Sequence, residues 1–469
     1  MTVIYDELGF DRGPRSLPRW VRLLDATALL LLLIAALLIP GDGIRVELGY
    51  VRVSITSAVR LLFWAGLVIA ARHAFYRQLP LTTRVLDWLR SDTLRANIRF
   101  VSAVMLATRI PPILIGLLTI GTIGVQTLDW YQPYKNPWLN LPARWDTLWY
   151  TQIAAFGYSW DGNPLREQTV VFFPGYPLLI HAVSRFMRSH IFYAAWAVSL
   201  AAFMCAVPLL LRLARHLVGD KIARDSVWLL AAYPFAIYYS AAYSESVFLL
   251  TMCGAFLAAV EHRFGRAALW GLAAGLTRPN GWLLAIPLAL IVFYRQPWPA
   301  TTRDKLSRAA VVIAPLAGVL LFTLYLSFQF GDGFAWIRGQ AAWGRVYRGL
   351  HLFAADRFLY VRDIGLVGYL LNEPFDALNT AAALLALGSA VPIARRLGAA
   401  YGALVVVMIL PPLLMGGATS VGRMTSILFP LFIWLAATLR DQYRAATLIA
   451  FASLQGFVAT LFLSFRNLY

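Results

Sequence analysis

Apolar runs of about 18 to 25 residues recur along almost the whole chain, separated by short segments rich in arginine. Coiled into helices, runs of that length match the hydrocarbon thickness of a bilayer. The expected fold is therefore an all-α polytopic membrane protein. Composition agrees: 60% of the 469 residues are apolar and 14% are charged, against roughly half and a quarter in an ordinary globular domain. A formal net charge of +18 would suggest nucleic acid in a soluble protein. Here most of the basic residues lie between the runs, where the preference of cationic loops for the cytoplasm accounts for them. No nucleic-acid partner is expected. Cys205 and Cys253 both fall inside apolar runs, so the chain has no disulfide framework. The N-terminus carries charge without a cleavable signal pattern, and the first apolar run reads as an anchor.

Spans are expected near Leu23–Pro40, Ile55–Ala71 and Phe100–Val125, then at 191–211 and 226–242, and from Glu245 to Val260. Ala267–Leu276 and Trp282–Phe293 are each too short to cross alone, since a span needs about 20 residues. They flank Thr277-Arg278-Pro279-Asn280-Gly281, so a broken helix pair is expected, with the break lining protein or water. Further spans near 309–329, 374–394, 398–416, 422–438 and 445–464 bring the total to about 12 or 13. Arginine-rich segments 72–99, 212–224 and 295–308 read as cytoplasmic. Segments 126–169 and 330–373, mixed in charge and rich in Trp and Tyr, read as large non-cytoplasmic loops. Val170–Val183 contains Pro174, Gly175 and Pro177 and is laid along the membrane, because a full crossing there would put Arg212, Arg215, Lys221 and Arg224 outside. Two parts are expected: residues 1–98, an N-terminal extension with two spans and a basic cytoplasmic segment, and 99–469, the main membrane domain.

Four polar clusters share the outer side in this topology, where ionisable groups are costly and tend to mark function. Arg144-Trp145-Asp146 sets a carboxylate between Arg and aromatics, a pattern suited to a general base acting on a sugar hydroxyl. A helix-start aspartate beside an interfacial aromatic belt has the same sequence. Phe172-Phe173-Pro174-Gly175-Tyr176-Pro177 reads as a kinked wall for a lipid or sugar, or as a simple turn into a span, and His181 beyond it as a packed residue. Tyr243-Ser244-Glu245, after a run of tyrosines, reads as a hydroxyl-binding surface or as an aromatic belt with an N-cap. Glu245 favours the former, because its turn is too short to carry it far into water. Arg278 in the broken pair requires an acid, a carbonyl or a phosphate for company. Gly422-Arg423 supplies a second arginine, as a phosphate contact or an interfacial anchor.

Arg144-Trp145-Asp146, the 172–177 motif, Tyr243-Ser244-Glu245-Ser246 and Thr277-Arg278-Pro279-Asn280-Gly281 together resemble the PIG-V family. These are the GPI mannosyltransferase 2-type members of the multispanning GT-C glycosyltransferases. The resemblance covers about residues 99–469 and is strongest over 143–294. It implies a GT-C-like fold and a polyprenyl-phosphate sugar donor, typically mannose, used on the non-cytoplasmic face. It places Asp146 in the catalytic position with Arg144 and Trp145 beside it, and matches Glu245, Arg278 and Asn280 to family positions. The chain departs in its N-terminal extension, in lacking a second acid beside Asp146, and in a C-terminal half without a transferable motif.

The function expected is transfer of a mannosyl or other hexosyl residue to a glycan, lipid or protein acceptor, with inversion. Asp146 and Glu245 form the catalytic pair. Arg144, Trp145, Phe173, Tyr176, Tyr243, Arg278, Asn280 and Arg423 bind substrate. No cofactor or divalent metal is expected, since arginines and oriented backbone groups can stabilise the leaving phosphate. Membrane lipid surrounds the chain, residues 1–98 offer a site for a membrane-protein partner, and a bacterial plasma membrane is favoured over the endoplasmic reticulum. The alternatives are a transporter or flippase of lipid-linked sugar, which would place its site mid-membrane between inverted repeats, and a non-catalytic subunit of a glycan-assembly complex.

Overall fold

The computed structural model describes residues 17–38, 44–48, 51–55, 57–78, 80–126, 133–187, 190–294, 301–417 and 420–466. The charged N-terminal segment and residues 127–132 and 295–300, which fall in the segments expected as an outer and an inner loop, lie outside the described residues. The chain divides into two compact units, Met1–Ala103 with Ala182–His190, and Val104–His181 with Ile191–Tyr469.

In the first unit, α1 (Arg19–Leu38) and α2 (Ala58–Phe75) are the two expected N-terminal helices. Ser57 caps α2, its hydroxyl accepting the Arg60 N–H at 3.3 Å. Between the helices stands an antiparallel hairpin, β1 (Ile44–Leu48) and β2 (Val51–Ile55), paired from Ile44 with Ile55 to Leu48 with Val51. It is an addition to the all-helical expectation. The strands Ile-Arg-Val-Glu-Leu and Val-Arg-Val-Ser-Ile alternate apolar and polar residues, the two-residue period of a strand. Helix α3 (Leu81–Arg90) follows, and α4 (Asp92–Thr122) starts in this unit and continues into the second. Asp25, buried in α1, accepts from Arg72 Nε at 2.9 Å and Arg84 Nη1 at 3.0 Å. A carboxylate this far from water needs such partners to remain charged.

The second unit carries the remaining helices, apart from the end of α6, whose residues 182–187 belong to the first: α5 (Thr147–Phe156), α6 (Gly175–Met187), α7 (Ile191–Val218), α8 (Asp220–Ala232), α9 (Glu245–Val260), α10 (Phe264–Thr277), α11 (Ala285–Ala289), α12 (Thr302–Phe330), α13 (Ala335–Arg338), α14 (Gly349–Asn372), α15 (Pro374–Arg396), α16 (Ala399–Gly416), α17 (Val421–Ser426), α18 (Phe429–Thr438) and α19 (Asp441–Leu463). Among the described residues six helices are long and apolar enough to cross a membrane: Ala58–Phe75, Leu94–Thr122, Ile191–Val218, Thr302–Phe330, Pro374–Arg396 and Asp441–Leu463. Four apolar stretches are shorter, Glu245–Val260, Pro279–Tyr294, Ala399–Met415 and Phe429–Thr438. The first expected span falls on the 20-residue α1, and the others outside the six fall on shortened or interrupted helices. The stretch at 226–242 shows why: α8 stops at Ala232, and Pro234 opens a tight 3₁₀ turn through Tyr239. The broken pair is realised likewise, with α10 ending at Thr277 and Pro279 starting a 3₁₀ turn into α11. Helix α6, at 13 residues, is too short to cross alone.

Candidate active site

Asp146 stands immediately before α5, where an aspartate ordinarily accepts the free N–H groups of the first turn. Its side chain makes no such bond. The carboxylate turns to Arg423, whose Nη1 donates to Oδ2 at 2.6 Å. The same guanidinium donates through Nε to Glu245 Oε1, and Arg278 Nη1 donates to that oxygen as well. Residues from four separate sequence segments therefore form one continuous chain of charge. Glu245 opens α9, where the helix N-terminus favours a negative charge. It is fully buried, whereas the Asp146 side chain is 26% exposed. Of the two carboxylates, Asp146 is the one a substrate can reach.

The tyrosines set this cluster in place. Tyr243 Oη accepts the Asp146 N–H at 3.0 Å, and its own backbone N–H and C=O are both held by Ser199 Oγ. Arg423 lies over the rings of Tyr243 and Tyr238, 4.5 and 5.3 Å from their centroids, where the ring faces attract a cation. Tyr239 donates to the Ser426 carbonyl at 2.7 Å, and the Tyr233 and Thr425 hydroxyls lie 2.8 Å apart. Those bonds tie the tyrosine-rich segment to α17, which bears Arg423. Ser244 precedes α9 without capping it, its hydroxyl lying 3.0 Å from that of Tyr150.

Other candidates serve the frame around the cluster. Arg144 is buried and donates to the carbonyls of Leu463, Asn140 and Ala143, with its guanidinium 4.8 Å from the Phe465 ring centroid. Trp145 Nε1 donates to the Phe462 carbonyl at 3.0 Å. Phe173 is packed against Phe322 and Trp336, at ring separations of 4.8 and 5.2 Å. Tyr176 donates to the Ala195 carbonyl at 2.7 Å. Arg278 Nη2 and Asn280 Nδ2 approach the sulfurs of Met424 and Met408, at 3.2 and 3.3 Å. His181 Nδ1 lies 2.8 Å from the Ala154 carbonyl, as a packed residue would. Gly175 brings the second and fourth motifs together: a Cβ there would stand 2.8 Å from Thr277 Oγ1 and 3.0 Å from the Leu276 carbonyl, so only glycine allows the approach.

Trp145, one residue before the reachable carboxylate, has φ of 49°, and Ser420, three before Arg423, has φ of 59°. Left-handed backbone at a non-glycine residue costs about 1–3 kcal/mol and gathers at functional sites. Both sides of the Asp146–Arg423 pair are therefore held in unfavourable backbone by the packing around them.

Three features escaped sequence reading. Ser199 and Asn379 are small polar groups inside apolar helices, Asn379 Oδ1 accepting the Gly422 N–H at 2.8 Å. Arg345 follows Trp343-Gly344 in the 330–373 segment, and burial and then the positive charge of Arg423 lower its pKa, with Asp146 opposing them. The only signal was a basic residue beside an outer tryptophan. Glu167 is pushed above the usual glutamate range by burial and by Asp146. It is a second acid in the field of the first, though twenty-one positions away in sequence rather than adjacent. Among the described residues, no group of three or more His, Cys, Asp or Glu side chains is placed to hold a metal ion.

The fold and the site define a polytopic helical membrane protein in which a partly exposed carboxylate is bound by an arginine cluster. Residues 131–338 match the family described as Mannosyltransferase (PIG-V), and the chain is PIG-V-like across that stretch. The match includes Asp146, Glu245 and Arg278; Arg345 and Arg423 lie beyond it. No curated protein matches the chain. Among solved structures it is similar to the archaeal oligosaccharyltransferase AglB from Archaeoglobus fulgidus, in complex with an inhibitory peptide and a dolichol-phosphate, at 14% identity and a TM-score of 0.35. That similarity covers 76% of this chain and 55% of that one, so this chain spans little more than half the length of AglB.

Proposed function

We propose that the protein is a GT-C-like glycosyltransferase. It moves a mannosyl or other hexosyl residue from a polyprenyl-phosphate donor to a glycan, lipid or protein acceptor on the non-cytoplasmic face. The PIG-V family match supports the reaction class. The observation that carries the reading is the Asp146 carboxylate, partly exposed and bound by Arg423 instead of capping its own helix.

In this reaction Asp146 Oδ2 stays with Arg423, and Oδ1 receives the proton of the acceptor hydroxyl as its oxygen attacks the anomeric carbon. The bond from that carbon to the phosphate oxygen breaks, and its electron pair leaves with the polyprenyl phosphate. A single displacement inverts the anomeric configuration and needs no enzyme nucleophile. Glu245 keeps Arg278 and Arg423 charged and fixed, so the field is in place before the sugar moves. The arginines meet the charge that develops on the leaving phosphate, and no divalent ion is invoked. A bacterial plasma membrane is the proposed setting.

The test is donor turnover: purified protein in detergent, polyprenyl-phosphate mannose and a defined acceptor mixture, with release of polyprenyl phosphate measured. Release that depends on acceptor is expected. Donor movement across proteoliposomes without release would favour a flippase, and loss of activity to a chelator with restoration only by a divalent ion would overturn the metal-free form.

A further inference from the structure

Helix α17, six residues long, carries Arg423 in its first turn, where the helix end disfavours a positive charge. An arginine there stays in place only if the turn itself is held. The residue in the capping position does not hold it. Ser420 has φ of 59°, outside the extended backbone that a cap adopts, and its hydroxyl makes no capping bond. The bond is supplied from another helix. Asn379, in α15, accepts the Gly422 N–H through Oδ1 at 2.8 Å. Gly422 is the second residue of α17, so this is an N–H that a capping side chain would ordinarily take.

Asn379 is 2% exposed in an apolar helix, where a polar side chain is costly unless it is bonded. Its orientation is fixed by a second bond, from Nδ2 to the Phe375 carbonyl at 2.9 Å, one turn back in the same helix. The Phe375 and Phe235 rings pack 5.8 Å apart. Phe235 in turn lies on Gly422, so closely that a Cβ there would run into its ring. Asn379, Phe375, Phe235 and Gly422 thus close a circuit around the start of α17. The far end of the helix is tied separately, by Tyr233 to Thr425 and by Tyr239 to the Ser426 carbonyl.

We propose that Asn379 is a positioning residue: by holding the first turn of α17 it aims one guanidinium at both Asp146 and Glu245. This role rests on the glycosyl-transfer reading above and is exerted through Arg423. Arg423 Nη1 reaches Asp146 Oδ2 at 2.6 Å while Nε serves Glu245. Both bonds come from one rigid planar group, so a swing of α17 that keeps the buried Glu245 bond turns the other away from Asp146. A base displaced by even about 1 Å loses much of its rate, because transfer depends on a near-attack geometry.

The experiment measures kcat and KM for polyprenyl-phosphate mannose, using the full chain in detergent with a defined acceptor mixture. Asn379→Leu keeps the bulk and removes the acceptor. Asn379→Ser turns its hydroxyl back to its own helix, removing the same bond with less apolar bulk. Each should lose roughly ten- to hundred-fold in kcat, with donor KM within about two-fold of wild type. Asn379→Asp keeps an acceptor oxygen and should recover part of the loss. In a D146N background the same substitutions should cost clearly less, because the base they misdirect is already gone. Unchanged kcat in folded N379S would overturn the assignment. So would an equal fold-loss with and without D146N, the mark of a purely structural role. A wild type that releases no polyprenyl phosphate would remove the glycosyl-transfer reading and this role with it, whereas an active wild type with an indifferent N379S would remove the role alone.

Discussion

Arg423 and Asp146 are 277 positions apart in sequence and meet at 2.6 Å, with the guanidinium extending on to Glu245. This joins a loop near the front of the second unit to a six-residue helix near its end. It makes the reachable carboxylate and the buried one parts of a single electrostatic object.

The two acids should separate by role. Asp146→Asn keeps shape and hydrogen bonding but removes the basic charge. Turnover is expected to fall about 10²-fold or more while the protein stays folded, the usual range for a general base. Glu245→Gln should lower thermal stability as well as turnover. Near-wild-type turnover in D146N, compared with E245Q at equal folded concentration, would pass the base role to another acid.

Glu245 and Arg423 should be coupled in stability. Removing one member of a buried pair strands the other's charge, at a cost of about 3–5 kcal/mol. Arg278 offsets part of this when Arg423 is the residue lost. The double variant E245Q/R423Q is expected to lose clearly less than the sum of the two single variants in a thermal unfolding cycle. Simple additivity would mean that the buried cluster contributes nothing as a unit.

Gly175→Ala tests the approach of the second motif to the fourth. The added methyl meets Thr277 Oγ1 at 2.8 Å, with the Leu276 carbonyl and Thr277 Cα close behind. Overpacking of this kind costs about 1–3 kcal/mol. A lowered unfolding midpoint is expected, with reduced turnover because Thr277 leads directly to Arg278. An unchanged midpoint would mean that the two motifs separate without penalty.

The outer segments carry a pH-sensitive clasp. Asp332 accepts from Arg338 and, at 3.1 Å, from Trp160 Nε1. The Arg338 hydrogen bond, the largest of several favourable contacts, holds its carboxyl below the usual aspartate range. With a depressed folded value, the stabilisation is fully present above about pH 3.9 and is lost as pH falls through the lower folded value. Pepsin should therefore cut the 330–345 segment faster at about pH 3 than at about pH 4.5, beyond the enzyme's own pH response, while Asp332→Asn should remove the extra difference. An identical pH response in both proteins would exclude the clasp.

Topology can be read with single cysteines at Lys221 and Leu165, both exposed, in a background lacking Cys205 and Cys253. An impermeant thiol reagent should label the two from opposite sides of the membrane. Labelling from one side would overturn the orientation and the proposed active-site face.

Much of this was legible in the sequence because it is local. Apolar length gave the helices and the 277–281 segment marked one break, whereas the span expected at 226–242 runs through Pro234, where the helix in fact stops. Asp146, Glu245 and Arg278 stood out because charge is rare in such a chain. Their mutual arrangement was not legible, since Arg423 can serve as an anchor or a ligand with the same neighbours, and only the tertiary fold brings it to Asp146. Phe173 and Tyr176 suited a substrate wall by composition, yet the structure spends them on packing against Trp336 and on the Ala195 carbonyl. The β1–β2 hairpin escaped because the long apolar period on either side masked its two-residue alternation.

Arg144 and Trp145 rest on the carbonyls of Leu463 and Phe462, where α19 runs out. A polypeptide is made from its N-terminus, and its segments enter the bilayer in order as the ribosome releases them. The loop bearing Asp146 emerges early, but the Leu463 and Phe462 carbonyls that its two preceding residues reach are made more than three hundred residues later. Until α19 is made, Arg144 and Trp145 lack these two acceptors. On the proposed glycosyl-transfer reading, a copy cut short before α19 is expected to be inactive, because the backbone leading into Asp146 lacks both of these contacts.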